Sequence, residues 1–269
     1  MKKHITLCLA IATVISLSLT LYGCHKETQK TETSQRITLA VGTQKDSVHL
    51  DVELPTYPDP KVNQAIMEQL NEALGGTYEG EYADVDSFSR HYVKAYLAEM
   101  DEMHTADEDT YEEGMEFMTH FERNLNISKI YENERLVTFN IQYYQYNGGA
   151  HGLNEDYGMT FRKSDGRQMG KNVLNNSIYD EEWQKMMHNG LMEYFEVSTE
   201  EELAKCLFES DLFLLQMPQA DPCFIEDGLL FTYQQYEIAA YAYGMPSFVI
   251  PYNKLASYLN VTGQRLLEK

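Results

Sequence analysis

Of the eight histidines in this 269-residue chain, His151 has the most unusual setting, between Gly149-Ala150 and Gly152. Glycines permit tight turns and close backbone approach, and a histidine placed there can change charge near neutral pH. Such a ring is either a functional imidazole or one that satisfies buried backbone groups and fixes the turn. The twenty tyrosines gather at 131–157 and 233–258. A ring with a polar tip suits sugars and protein surfaces, although tyrosine is also an ordinary strand residue. Gly149, His151, Tyr236, Glu237 and Tyr241 are therefore the candidate ligand surface, with a folded corner around 236–241 as the other reading. Cys206 and Cys223 form an even pair. In an oxidising compartment they would bridge, adding about 3 kcal/mol in the chain-entropy model; otherwise they are two buried thiols.

Catalytic patterns are missing. No two histidines pair at i, i+4, which excludes a helix-borne zinc site. No Gly-x-Ser-x-Gly elbow occurs. The run from Gly166 to Lys171 is too short for a phosphate loop, and Asn172 stands where Ser or Thr is required. Asp107-Glu108-Asp109 does not open a calcium loop, because Glu112 occupies the glycine position. No catalytic residue, cofactor or metal is expected. An enzyme built from scattered carboxylates remains the alternative, and two acids facing across a cleft would support it.

These residues need a frame. Residues 36–41 and 47–54 read as a hairpin around Gly42 to Asp46. Pro60 opens a helix with Val62, Ile66, Met67, Leu70 and Leu74 on one face, ended by Gly75-Gly76. Asp86 is expected to cap a second helix carrying Phe88, Tyr92, Tyr96 and Met103. The acidic residues 105–114 read as a loop. Strands at 117–131 and 136–146 turn at 132–134, followed by a strand at 157–161 and a turn at 164–166. Residues 179–197 are amphipathic, and Ser198 with Glu201 reads as a capping box. Residues 223–225 and 229–233 flank Glu226-Asp227-Gly228 as a hairpin. A short strand at 247–250 leads through Pro251 into a helix. Interleaved helices and hairpins predict an α+β fold, mainly antiparallel sheet with packed helices. It divides into two closely associated subdomains at 36–139 and 140–269.

The chain opens with Lys2-Lys3 and an apolar core at 5–19, the layout of a signal peptide over residues 1–23. Leu21-Tyr22-Gly23-Cys24 resembles the lipobox of bacterial lipoproteins, with Tyr22 bulkier than usual. The resemblance implies cleavage before Cys24 and acylation of its sulfur. The partner would be a lipid bilayer, and two or three acyl chains at about 0.8 kcal/mol per methylene would hold firmly. Residues 24–35 read as a flexible tether. The expected location is the bacterial cell envelope, as an anchor in the outer membrane, on its periplasmic side or at the cell surface. Loss of residues 1–23, which hold two Lys and no acid, leaves 19 basic and 42 acidic residues, a net charge of −23. That excludes nucleic acid, whose binding depends on Lys and Arg neutralising phosphates. It favours solubility and cationic partners.

Gly148-Gly149-Ala150-His151-Gly152 is followed by Phe161 and the turn Asp165-Gly166-Arg167. Further on come Tyr236-Glu237-Ile238-Ala239-x-Tyr241-x-x-Gly244 and Val249-Ile250-Pro251-Tyr252. This pattern, over about residues 140–256, resembles the RsiV-like family, whose domain also stands beside the catalytic domain of the peptidoglycan deacetylase PdaC. Residues 36–139 resemble, more weakly, the smaller domain that precedes it. Asn172-Val173-Leu174 departs from the family's Asp-Leu-Phe-like step. The resemblance implies an α+β fold and a non-catalytic role; the anti-sigma factor RsiV captures lysozyme, a basic protein. With nothing preceding the leader, direct control of a sigma factor is not expected. The expected function is envelope-side binding of a basic, lysozyme-like protein or of a peptidoglycan or other wall glycan. The alternatives are a hydrolase or deacetylase-like enzyme acting on wall or polysaccharide, and a structural subunit of a lipoprotein assembly.

Overall fold

A computed structural model describes residues 33–42, 46–108, 120–208 and 214–267 of the chain. The leader 1–23, Cys24 and the tether up to residue 32 lie outside the described residues, as do residues 43–45, much of the acidic stretch, and residues 117–119.

The expected first hairpin is present as β1 (Ser34–Gly42) and β2 (Asp46–Pro55). Asp59 accepts a hydrogen bond from the Lys61 amide and opens α1 (Pro60–Ala73), with Pro60 already holding a helical φ. Gly75 and Gly76 end the helix with φ of 101° and 70°, a conformation that glycine adopts without a steric cost. Helix α2 (Val85–Glu108) departs from expectation at both ends. Its cap is Asp84, which accepts from the Ser87 amide at 3.0 Å and the Ser87 hydroxyl at 2.7 Å. Asp86 lies in the first turn and pairs with Arg90 instead. The helix also continues through residues 105–108, because Tyr92, Tyr96 and Met100 keep one face buried and no Gly or Pro breaks the run.

Four strands follow: β3 (Phe121–Glu132), β4 (Leu136–Asn147), β5 (Leu153–Arg162) and β6 (Gln168–Met169). The six pair in sequence order, antiparallel except for β2 and β3, which run parallel with α1 and α2 as their crossover. Then come α3 (Glu181–Tyr194), α4 (Glu200–Cys206) and a three-stranded sheet of β7 (Cys223–Phe224), β8 (Gly228–Thr232) and β9 (Ser247–Pro251). Two short helices, α5 (Tyr252–Leu255) and α6 (Val261–Leu267), close the chain. The capping box of α4 is Thr199 with Glu202, one residue beyond the expected pair. The fold is α+β and mainly antiparallel, as expected.

Alternation along the strands sends residues to two cores. Leu50, Leu125, Phe139 and Ile141 face α1 and α2. The other face of β4 and β5 meets the second sheet. Leu136 joins the cluster around Trp183, Phe231 and Ile250, Thr138 donates to the Phe224 carbonyl at 2.6 Å, and the Phe224 amide donates to Thr160 at 2.8 Å. This cover reaches Gly158, where a Cβ would lie 2.1 Å from the Cys223 sulfur. Beyond Gly158 and Thr138 the sheet face is open, and the candidate site lies there. Strand β4 spans residue 140, so one sheet carries both segments on either side of that position.

Of the two readings for Cys206 and Cys223, the structure has the unbridged one; both thiols are free. Cys223 is buried beneath β5, where burial pushes its thiol up to about 12. Cys206 ends α4 near the surface, beside Tyr243. Among the described residues no helix is long and apolar enough to cross a membrane.

Candidate functional site

Register across four strands builds the site. His49, Asn124, Tyr144 and Asn154 are successive partners across β2, β3, β4 and β5. Asp51, Asn126, Gln142 and Asp156 form the neighbouring row. On β2 and β3 each lies between buried residues, and the register carries the same face across β4 and β5, so both rows turn outward. The floor is thus tiled with carboxamides. His49, Asn124, Asn126, Gln142, Tyr144, Asn154 and Asp156, with Met245 at one side, line a groove of about 280 Å³.

The acids of this face are already engaged. Asp156 accepts from the Asn140 amide nitrogen at 2.9 Å and from that of Gln142 at 2.8 Å. Those bonds fix both side-chain amides. Asp51 is gripped by Arg36 and accepts from Thr38, and the hydrogen bond from Arg36 holds its carboxyl below the usual range. Among the described residues, no three His, Cys, Asp or Glu side chains come close enough together to hold a metal ion.

At the end of the groove Tyr144 passes into an aromatic cluster. Its ring packs on Gly152, where a Cβ would meet it at 2.3 Å. His151 stacks on Tyr241 with centroids 3.8 Å apart and planes 20° from parallel. Its Nδ1 donates to the Gly152 carbonyl at 3.0 Å, and Nε2 lies 3.2 Å from the Tyr236 hydroxyl. Tyr236 has a φ of 63° and a side chain open to solvent. The structure therefore brings His151, Tyr236 and Tyr241 together.

Gly149 and Glu237 have other duties. Gly149, at φ 89°, shapes the turn, and its carbonyl accepts from the Tyr146 hydroxyl. Glu237 accepts from the backbone amides of Gln219 at 2.6 Å and Gln234 at 2.8 Å, which makes it the pin of a folded corner. Next to it, Gln234 acts as a substitute strand for β5. It accepts from the Asp156 amide at 3.1 Å and donates to the Asp156 carbonyl at 2.9 Å, while Gln235 accepts from the Asn154 amide at 2.8 Å. The corner thus holds the groove wall and the aromatic cluster in one piece.

Sequence reasoning missed Asn124, Asn126, Gln142, Asn154 and Asp156. Their signal was present but weak: the outward positions of two strands are carboxamides, where Thr or Lys would be usual.

Fold and site define a class. It is an α+β body in which a helix-backed six-stranded sheet is half covered by a small second sheet, leaving a polar groove. Comparisons with known proteins narrow it. Residues 41–154 match the family model described as "Deacetylase PdaC", and residues 171–253 match "Protein of unknown function (DUF3298)". A crystal structure of a DUF3298-family protein from Bacteroides fragilis is similar, with 21% identity and a TM-score of 0.66 over 88% of this chain and 96% of that one. A DUF3298-family protein from Pseudomonas aeruginosa is also similar, with 17% identity and a TM-score of 0.56 over 85% and 94%. No curated protein matches the chain. Each family model covers less than half of the chain, and the solved structures share its fold.

Proposed function

We propose that the protein is a non-catalytic, lipid-anchored receptor on the envelope side that binds an uncharged cell-wall glycan in the carboxamide groove. The observation that carries this reading is the pair of polar rows, His49-Asn124-Tyr144-Asn154 and Asp51-Asn126-Gln142-Asp156, ending at exposed aromatic rings. Sugar hydroxyls and acetamido groups both donate and accept, and Asn and Gln side chains offer both functions. Tyrosine rings give an apolar face for the C–H side of a pyranose. The RsiV-like resemblance and the lipobox at Cys24 support the envelope setting. Engagement of Asp51 and Asp156 by neighbouring donors supports binding over hydrolysis, because a general acid needs an apolar surrounding that raises its pKa. The net charge of −21, which loss of residues 1–23 would make −23, favours a second reading, a basic protein of the lysozyme kind.

Residues 32–269 form one compact unit, so the 25–269 chain suits a binding assay. Calorimetry with neutral wall fragments, uncharged oligosaccharides of N-acetylglucosamine, should show saturable binding. The N124A/Q142A variant, altered only on the open face, should bind at least about tenfold more weakly, roughly 1.4 kcal/mol. Absence of heat with every wall fragment, or equal affinity in the variant, would sink the glycan reading. Release of acetate or new reducing ends would sink the non-catalytic part.

A further inference from the structure

A second recess lies away from the groove, where the β3–β4 turn, the β5–β6 turn and α6 meet. Its volume is about 580 Å³, within the range of small-molecule sites. Its lining holds Arg135, Arg162, Lys163 and Arg265 against a single acid, Glu134. That is a local inversion of charge in a chain with 42 acidic and 21 basic residues.

The frame of the recess is fixed by bonds between the three elements. Lys163 donates its backbone amide to the Arg135 carbonyl at 2.7 Å, and its ammonium to the Asn133 carbonyl at 2.9 Å and to Glu132 at 2.7 Å. Arg135 reaches the carbonyl of Arg265 at 2.5 Å, tying the turn to α6. Asp165 grips Arg162 through both carboxylate oxygens. Among the described residues, counting Glu132, Glu134 and Asp165 against the four cations still leaves the recess positive. Three donors then stand without a hydrogen-bond partner among the described residues: the Arg265 guanidinium and the hydroxyls of Ser164 and Thr262. Beside them, sharing Glu134 and Arg135, a recess of about 450 Å³ is faced by Tyr131, Tyr252 and Leu267. A planar guanidinium with two hydroxyls matches the oxygens of a phosphate, and an aromatic annex suits the ring or chain esterified to it.

We infer that this recess is an anion site for a phosphate ester, with the phosphate on Arg265, Ser164 and Thr262 and the esterified group against Tyr131 and Tyr252. The ester is carried either by a soluble sugar phosphate or by a lipid headgroup. Acids farther from the recess act on such a ligand only weakly, since the Debye length is about 8 Å at physiological salt.

The probes are inorganic phosphate, glucose 1-phosphate, glucose, and vesicles of phosphatidylglycerol or phosphatidylcholine, added to the 25–269 chain. Glucose 1-phosphate should bind more tightly than phosphate, glucose should not bind, and R265Q should weaken both anions at least about tenfold. R265K, which keeps the charge but loses the fork, should fall between. S164A/T262A provides a second variant that leaves α6 intact. Binding of phosphatidylglycerol vesicles alone assigns the headgroup; binding of the soluble ester alone assigns the sugar phosphate. The inference is overturned if neither anion nor vesicle binds, or if R265Q and S164A/T262A bind as the unaltered chain does. Groove binding of wall fragments should be unchanged in R265Q, so failure here leaves the glycan reading standing.

Discussion

Gly158 shows how little room separates the two sheets. A Cβ there would lie 2.1 Å from the Cys223 sulfur and 2.6 Å from its Cβ, both in a buried layer. Gly158→Ala should therefore cost about 1–3 kcal/mol, the usual range for overpacking. Urea unfolding would read it, and G158A/C223G should recover most of the loss. An unchanged midpoint in G158A would mean that the sheets do not pack this closely. Glu237 makes the opposite case, a conspicuous residue whose work is local. Its two oxygens each take a backbone amide. A glutamine keeps only one acceptor oxygen and brings an NH2 to face the other donor. Glu237→Gln should thus destabilise by about 1–3 kcal/mol while wall-fragment affinity, measured well below the melting point, stays the same. A large fall in affinity without loss of stability would return Glu237 to the ligand surface.

Hairpins and helices were legible because their signals are local. Pro60, Gly75-Gly76 and the apolar stripe between them state a helix within seventeen residues. Caps were legible only to within one or two positions: Asp84 and Asp86 are both acids, and geometry alone chooses Asp84. The groove was not legible, since His49, Asn124, Tyr144 and Asn154 become neighbours only through strand register. Long-range pinning also governs how elements respond to acid. Glu132, at the end of β3, receives Lys163 at 2.7 Å, Lys129 at 2.9 Å, the Thr33 hydroxyl at 3.1 Å and the Tyr57 hydroxyl at 3.2 Å. Burial pushes its carboxyl up, but the two lysines outweigh that and hold it at about 2. A carboxyl depressed in the folded state stabilises fully above its unfolded value and loses that contribution as pH falls through the folded one. Between about pH 4.5 and 2 the junction of β3, β5 and the residues before β1 should thus lose on the order of 1–2 kcal/mol, after allowing for solvent screening. Glu132→Gln should flatten that part of the stability profile. An equally steep acid slope in E132Q would place the loss elsewhere.

At the scale of the whole molecule, charge and shape point to different partners. The full chain carries −21, which draws cations from a distance, yet the groove presents amides and rings whose contacts act only on touch. Ionic strength separates the two because it screens the first and leaves the second nearly untouched. The Debye length shrinks from about 10 Å at 0.1 M to about 3 Å at 1 M. Association steered by net charge slows steeply over that range. An uncharged glycan held by Asn124, Asn126 and Gln142 has no long-range term to lose. Its dissociation constant should change by less than about twofold between 0.05 and 0.5 M NaCl, whereas a basic protein partner should weaken by more than about tenfold. Calorimetry of one neutral wall fragment and one lysozyme across that salt series decides between them. Salt-insensitive binding of the fragment with no measurable binding of the protein assigns the groove as the recognition surface. Strong, salt-sensitive binding of the protein, undisturbed by N124A/Q142A, would instead make the acidic exterior the working face and leave the groove without a ligand.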